Sequence, residues 1–181
     1  MRQVTSLTSE EAKSVLQQLL KQRPGLAKEV GDIIDGLKPA IDANEVAAWV
    51  RHELESMAID DVWERSGQDR HGYTAPHDAA DEMITEVVDS HMLEVLKFED
   101  LKRPEDADAY LAGIIMGLNQ FENEVESQVK ELTDDGATAL ASVVLANWKK
   151  AVGDDSRVAN MQGRLLEGCE GWENLIALAL R

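Results

Sequence analysis

Apolar residues recur at steps of three and four along almost the whole chain, which is the spacing of one face of an α-helix. The longest such stripe consists of Ala107, Tyr110, Leu111, Ile114, Ile115, Leu118, Phe121, Val125, Val129 and Leu132. Asp, Glu, Asn and Gln fill most of the opposite side. The pattern predicts one helix over 107–132, about 39 Å long at ~1.5 Å per residue, as the central support of the fold.

Proline and capping residues divide the remaining stripes into further helices. The predicted starts are Thr8 or Ser9, Pro24, Pro39, Pro76, Pro104, Thr133 or Asp134, and Asp154 or Asp155. Apolar residues change face between Ser56 and Asp60, which predicts a kink or a restart there. Gly168 and Gly171 are expected to bend the last helix or split it in two. No convincing alternating strand pattern is found.

These elements predict an all-α fold of seven to eight helices. Short links between helices favour stacked antiparallel αα-hairpins, arranged as an αα-superhelix of helical repeats or as an irregular bundle. Residues 1–38 are expected to form an N-terminal helical hairpin, and residues 39–181 the main helical domain. Gly113 and Gly117 lie beside the stripe of the long helix, where two glycines cost stability. Close approach of a second helix is the favoured reason, and a ligand against the bare backbone is the alternative.

Composition and charge narrow the range of partners. The chain has 181 residues, 44% of them hydrophobic, which is an ordinary globular composition. Its formal net charge of −17 would repel nucleic acids and anionic membranes but could attract a basic protein. The first residues lack the apolar run of a signal peptide, so a cytoplasmic protein is expected. Cys169 is the only cysteine and lies in phase with apolar neighbours, which predicts a buried side chain without chemistry.

The histidines provide one candidate metal site. His52, His77, Asp78 and Asp108 loosely resemble the ligand set of the metal-dependent phosphohydrolases that are named for their His-Asp pair. In that family such residues would hold divalent ions and activate water. The context differs, because His77 and Asp78 open a helix here, where the helix dipole favours an acid. For His91, which lies within an apolar stripe, a hydrogen-bonded core position is expected.

The segment from Arg65 to Pro76 is the best candidate binding site by position. It is the longest predicted link and carries Arg65, Arg70, His71, Tyr73 and His77 on an otherwise acidic protein. It could bind an acidic group or another protein. Alternatively, Tyr73 docks into the core and the arginines pair with nearby acids.

Two segments carry a resemblance to a known family. Asp60-Asp-Val-Trp-Glu-Arg-Ser-Gly through Arg70-His-Gly-Tyr, followed by Ala79-Ala80 and the long helix, resembles helical regions of prokaryotic SWIM zinc-finger proteins. Leu19-Leu-Lys-Gln-Arg-Pro-Gly-Leu-Ala27 is similar to their Leu-Leu-x-x-x-Pro-x-Leu hairpins. The zinc finger itself needs close pairs of Cys and His, which this sequence lacks. The resemblance implies an αα-superhelical partner without catalytic residues.

The leading hypothesis from the sequence is a non-enzymatic helical interaction module that binds another protein. It has no predicted catalytic residue, cofactor, nucleic-acid partner or membrane partner. The apolar C-terminus, Leu175-Ile-Ala-Leu-Ala-Leu180, is expected to be buried in the core or in a homodimer interface. Two alternatives are a phosphohydrolase of the His-Asp type and an acidic mimic of nucleic acid.

Overall fold

The computed structural model describes residues 8–37, 40–68, 70, 72–133 and 135–181. The chain divides into two compact units, Met1–Ala40 and Ile41–Arg181. None of the helices among these residues is long and apolar enough to cross a membrane.

The first unit contains two amphipathic helices, α1 (Ser9–Gln22) and α2 (Ala27–Leu37), joined by a 3₁₀ turn at Pro24–Leu26. Thr8 caps α1 as predicted. Its hydroxyl accepts a hydrogen bond from the Glu11 amide, and the Glu11 carboxylate accepts one from the Thr8 amide. None of the described side chains of this unit is buried. Several apolar ones are exposed: Val15, Leu16, Leu19 and Ile33.

The second unit contains eight further α-helices and one short hairpin among its described residues. These are α3 (Ala43–Glu55), α4 (Ile59–Arg65), β1 (Gly67–Gln68), β2 (Tyr73–Thr74), α5 (Pro76–Asp100), α6 (Pro104–Glu124), α7 (Gln128–Leu132), α8 (Gly136–Val152), α9 (Asp155–Gly168) and α10 (Glu173–Ala179). The strands are antiparallel, with Gly67 opposite Thr74 and Gln68 opposite Tyr73. The all-α class is confirmed.

The helix count exceeds the predicted seven to eight because three predicted helices are divided. The restart after Ser56 and the break between α9 and α10 agree with the sequence pattern. Two of the predicted helix starts, Pro39 and Asp134, lie outside the described residues. The helices near them begin after Asp42 and Asp135. The Asp42 carboxylate accepts a hydrogen bond from the Asn44 amide, so it supplies the cap of α3.

Helix α6 is the centre of the second unit, and it is buried on every side over its middle. All residues from Ala109 to Asn119 are buried. Helices α3, α5, α8 and α9 pack around it. The prediction of a single apolar stripe with a polar opposite side is therefore wrong for this segment. Four helices packed around one buried helix are the arrangement of a bundle, so within residues 41–181 the contacts favour the second of the two predicted arrangements.

The prediction that this helix continues to Leu132 is also wrong. Helix α6 ends at Glu124, because Val125 adopts an extended conformation and Ser127 starts α7. The Ser127 hydroxyl accepts a hydrogen bond from the Lys130 amide. The Lys130 ammonium donates to the carbonyl groups of Glu122 and Val125, which the end of α6 leaves without helical partners. These local bonds compensate for the interruption of the helix.

The two glycines of α6 mark the closest helix contact, as predicted. A Cβ added at Gly113 would lie 2.5 Å from Val46 Cβ and 2.7 Å from the Ala43 carbonyl oxygen, both on α3. A Cβ at Gly117 would lie 2.7 Å from Val50 Cβ. Carbon atoms in favourable contact are about 3.5–4.0 Å apart, so only glycine allows the two backbones to approach this closely.

The C-terminal segment packs largely inside the second unit. Ile176 and Leu180 are buried, and α10 contacts α8 and α9. Leu178 remains 71% exposed. The homodimer through this helix stays a prediction. Cys169, between α9 and α10, is fully buried, as expected, and burial raises the pKa of its thiol to about 12.

Candidate functional site

The predicted binding loop forms the hairpin between α4 and α5. Arg65 donates a hydrogen bond to the Glu86 carboxylate at 2.8 Å, as the arginine-pairing alternative expected. Tyr73 is 67% exposed on β2, so the prediction that it docks into the core is wrong. Arg70 and His77 are also exposed, and His71 lies outside the described residues. The role of this loop in binding stays a prediction that now rests on its exposed side chains.

The predicted metal set does not come together in the structure. No group of three or more His, Cys, Asp or Glu side chains capable of holding a metal ion occurs within the described ranges, which include His52, His77, Asp78 and Asp108. His77 Nε2 lies 3.3 Å from Asp78 Oδ1, and both side chains are exposed. Asp108 is instead bound by Arg157. The ligand geometry on which the His-Asp alternative depended is therefore not present.

His91 is a buried histidine in a hydrogen-bonded core position, as expected. Its Nδ1 lies 3.0 Å from the Tyr110 hydroxyl, and its Nε2 lies 3.3 Å from a carboxylate oxygen of Glu53 without hydrogen-bond geometry. Burial raises the pKa of Tyr110, and the charges of Glu94 and Glu53 raise it further. His91 and Tyr110 join α5 and α6 in the core, and the half-exposed Glu53 side chain adds a contact from α3.

A further candidate binding site is a groove between α5 and α8, with a volume of about 670 Å³ and a mainly apolar lining. Its apolar surface consists of Met92, Val95 and Leu96 from α5 and Val144, Trp148 and Val152 from α8. Leu96 is 57% exposed, so the groove is open to solvent along this side. Asp89 lies on its lining and is exposed. The volume falls within the range of about 300–1,000 Å³ that is typical of protein binding sites.

A cluster of ion pairs formed by Arg157 of α9 closes one end of this groove. Its guanidinium donates to both carboxylate oxygens of Asp108 at 2.9 and 2.6 Å and to Glu99 at 2.5 Å. The hydrogen bond with Asp108 raises the pKa of Arg157 above its usual value, burial opposes this rise, and the bond with Glu99 adds to it. The cluster contains two negative carboxylates and one positive guanidinium, so its net charge is negative. The cluster fixes the end of α5 and the start of α9 against the start of α6.

Trp148 forms part of the floor of the groove beside this cluster. The Arg157 guanidinium carbon lies 6.0 Å from the centre of the Trp148 ring, a cation–π distance. Trp148 is 6% exposed, and its indole N–H has no hydrogen-bond partner among the described residues. The ring is thus almost entirely covered by its neighbours, and only a small part of it is accessible from the groove.

Sequence reasoning missed this groove, although a signal was present. The apolar stripe that contains His91 continues to Val95 at a step of four, whereas Met92, Leu93 and Leu96 lie outside it. Leu93 and Leu96 are 65% and 57% exposed. Apolar residues on the polar side of an amphipathic helix indicate a second contact surface.

Comparison of the chain with protein-family models, with curated proteins and with solved structures gives no match. The resemblance to SWIM-associated helical regions therefore stays a prediction.

Proposed function

We propose that this chain is a non-enzymatic helical interaction module that binds another protein in the groove between α5 and α8. The observation that supports this proposal is the apolar lining of the groove, which includes the half-buried Met92 and the 57% exposed Leu96. Apolar side chains left in water cost free energy, and covering one fully is worth about 1.5–3 kcal/mol. Because the lining is already partly buried, a partner that covers its exposed part would gain a fraction of that energy for each side chain.

The surroundings of the groove suit a protein partner. The charged residues of the lining are Asp89 and Glu99, at the two ends of its α5 segment, and Arg157; Asn147 is a further polar residue of the lining. Polar groups around apolar ones are the usual composition of a binding interface. The acidic nucleic-acid mimic stays an alternative that rests on the net charge alone.

A site-specific photo-crosslinker tests the proposal. The full chain carries the crosslinking residue either at Leu96 in the groove or at Leu166, a 44% exposed leucine of α9 outside it, and is expressed in its own cells. We expect a discrete crosslinked protein from position 96 that is absent from position 166. The crosslink should disappear when Val144→Gln is added. Equal crosslinking at both positions, or none at position 96, contradicts the proposal.

A further inference from the structure

The shape and charge of the groove identify the kind of partner, and this inference rests on the proposed function above. We infer that the groove binds a single amphipathic helix with basic residues along its edges. Three observations support this inference: the dimensions of the groove, the arrangement of its apolar positions, and the distribution of charge over the chain.

The dimensions fit one short helix. The α5 residues that line the groove extend from Asp89 to Glu99, which corresponds to about 15 Å along a helix axis. The α8 residues extend from Val144 to Val152. A helix of about three turns spans the same length. Because the floor lies between two neighbouring helices, a third helix laid along it can insert its side chains between theirs.

The apolar positions of the groove repeat at helical spacing on both walls. On α5 they are Met92, Val95 and Leu96, and on α8 they are Val144, Trp148 and Val152. Helices that bind in such grooves use apolar residues at positions i, i+3 or i+4, and i+7. Trp148 lies in the middle of the α8 series but is only 6% exposed, so the half-buried Val144 and Val152 supply most of the contact surface of this wall.

The negative charge of the second unit and of the groove favours a basic occupant over a neutral or acidic one. Residues 41–181 contain 30 acidic and 12 basic side chains, whereas residues 1–40 contain five acidic and six basic ones. The second unit therefore has a formal net charge of −18, whereas residues 1–40 have one of +1. At the groove itself, Asp89 has no ion-pair partner among the described residues, and Arg157 is outnumbered by Glu99 and Asp108. Lys149 and Lys150 of α8 do not line the groove.

Designed peptides test this inference on the full chain. The probe is a fluorescein-labelled helical peptide of roughly 14 residues, with leucines at i, i+3, i+4 and i+7 and lysines elsewhere. One control peptide has the same composition in scrambled order, and another has glutamate in place of lysine. Binding is measured by fluorescence anisotropy with wild-type protein, Leu96→Gln and the matched control Leu166→Gln. Thermal unfolding by circular dichroism verifies that both variants are folded.

We expect the ordered basic peptide to bind wild-type protein and Leu166→Gln equally, and Leu96→Gln at least tenfold more weakly. The acidic peptide should bind at least tenfold more weakly than the basic one. Asp89→Asn should weaken binding of the basic peptide more than Asp60→Asn, which removes an exposed acid of α4 outside the groove.

Four outcomes would overturn the inference. Equal binding of the ordered and scrambled basic peptides would show attraction by surface charge without a helix in the groove. Equal binding of the acidic peptide, lost in Leu96→Gln, would reject a basic occupant but leave the proposed function intact. Failure of the basic peptide to bind, while crosslinking from position 96 captures a partner, would also reject a basic occupant and leave the proposed function intact. Absence of both peptide binding and position-specific crosslinking would reject the two proposals together.

Discussion

Gly117 of α6 lies directly against Val50 of α3, and a Cβ added to the glycine would lie 2.7 Å from Val50 Cβ. One turn earlier, the same relationship holds between Gly113 and Val46, at 2.5 Å. Both valines belong to the body of α3 and are buried. Neither can move aside without moving its helix, so the distance between the two helices depends on the two glycines.

Gly113→Ala and Gly117→Ala should therefore each lower the free energy of unfolding by about 1–3 kcal/mol, because overpacking outweighs the better helix propensity of alanine. Gly163→Ala is the matched control, since it lies within α9 and a Cβ there meets nothing within 4 Å. Its free energy of unfolding should rise by about 0.5–1 kcal/mol. Urea denaturation measures all three. Equal effects at the three sites would contradict the close packing.

The Arg157 cluster gives a second prediction. Arg157→Met should lower the free energy of unfolding by about 1–3 kcal/mol, because it removes charge-assisted hydrogen bonds and leaves Asp108 and Glu99 without their cation. Arg157→Lys should recover only part of this loss, since an ammonium cannot reproduce the forked geometry. The comparison is made by thermal and urea unfolding.

The control for this cluster is the exposed ion pair of Arg51 and Glu124. Its side chains are 41% and 57% exposed, so Arg51→Met should change the free energy of unfolding by about 0–1 kcal/mol. A loss at Arg157 no larger than the loss at Arg51 would show that the cluster adds no more than a surface pair.

The buried contact between His91 and Tyr110 gives a third prediction. Tyr110→Phe leaves His91 Nδ1 without its partner and should cost about 1–3 kcal/mol of unfolding free energy. Tyr73→Phe removes the hydroxyl of a 67% exposed side chain and should have almost no effect. Urea denaturation at neutral pH compares the two variants. Similar stability of both would show that the buried hydroxyl contributes no net stability.

Cys169 gives a fourth prediction, about reactivity and pH. Its pKa of about 12 in the folded protein means that the thiol should resist a colourless disulfide reagent at neutral pH and react fully only after unfolding in urea. The unfolded thiol has a pKa near 9.0, so stability is unaffected below that pH and is lost as pH rises towards 12. Cys169→Ala should lose less stability than wild type in this range. Rapid modification of the native protein would contradict the buried position.

The sequence pattern predicted the fold class well because most helices bury one stripe of apolar residues. It also predicted the contact at Gly113 and Gly117, since glycine inside a helix is costly without a packing reason. It failed at the end of α6. There the apolar spacing continues through Val125 and Val129, but the side chains of Ser127 and Lys130 compete for the backbone groups and end the helix. The spacing of apolar residues reflects their apolar contacts and does not reveal side-chain hydrogen bonds to the backbone.

The exposed apolar residues of α5 indicate a contact surface, but the position of the groove could not be predicted because it depends on which helices become neighbours. Asp108 and Arg157 are 49 positions apart in sequence, and nothing in either segment indicates that they meet. The same holds for Leu96 and Trp148, which lie on helices separated by α6 and α7. Pairing between distant segments is decided by three-dimensional packing. The length and charge of the segment from Arg65 to Pro76 indicate a candidate binding site. They reveal neither the burial of its side chains nor the residues that these side chains contact.

The concentration of negative charge in residues 41–181 gives added salt two opposing effects. Salt ions screen the repulsion among the acidic side chains and so stabilise the folded second unit. The same screening weakens the long-range attraction between this surface and a basic helix, and slows their association. The second unit is therefore least stable under the ionic conditions in which a basic partner binds most tightly. An occupied groove would then compensate for the repulsion, because binding stabilises the folded state by mass action.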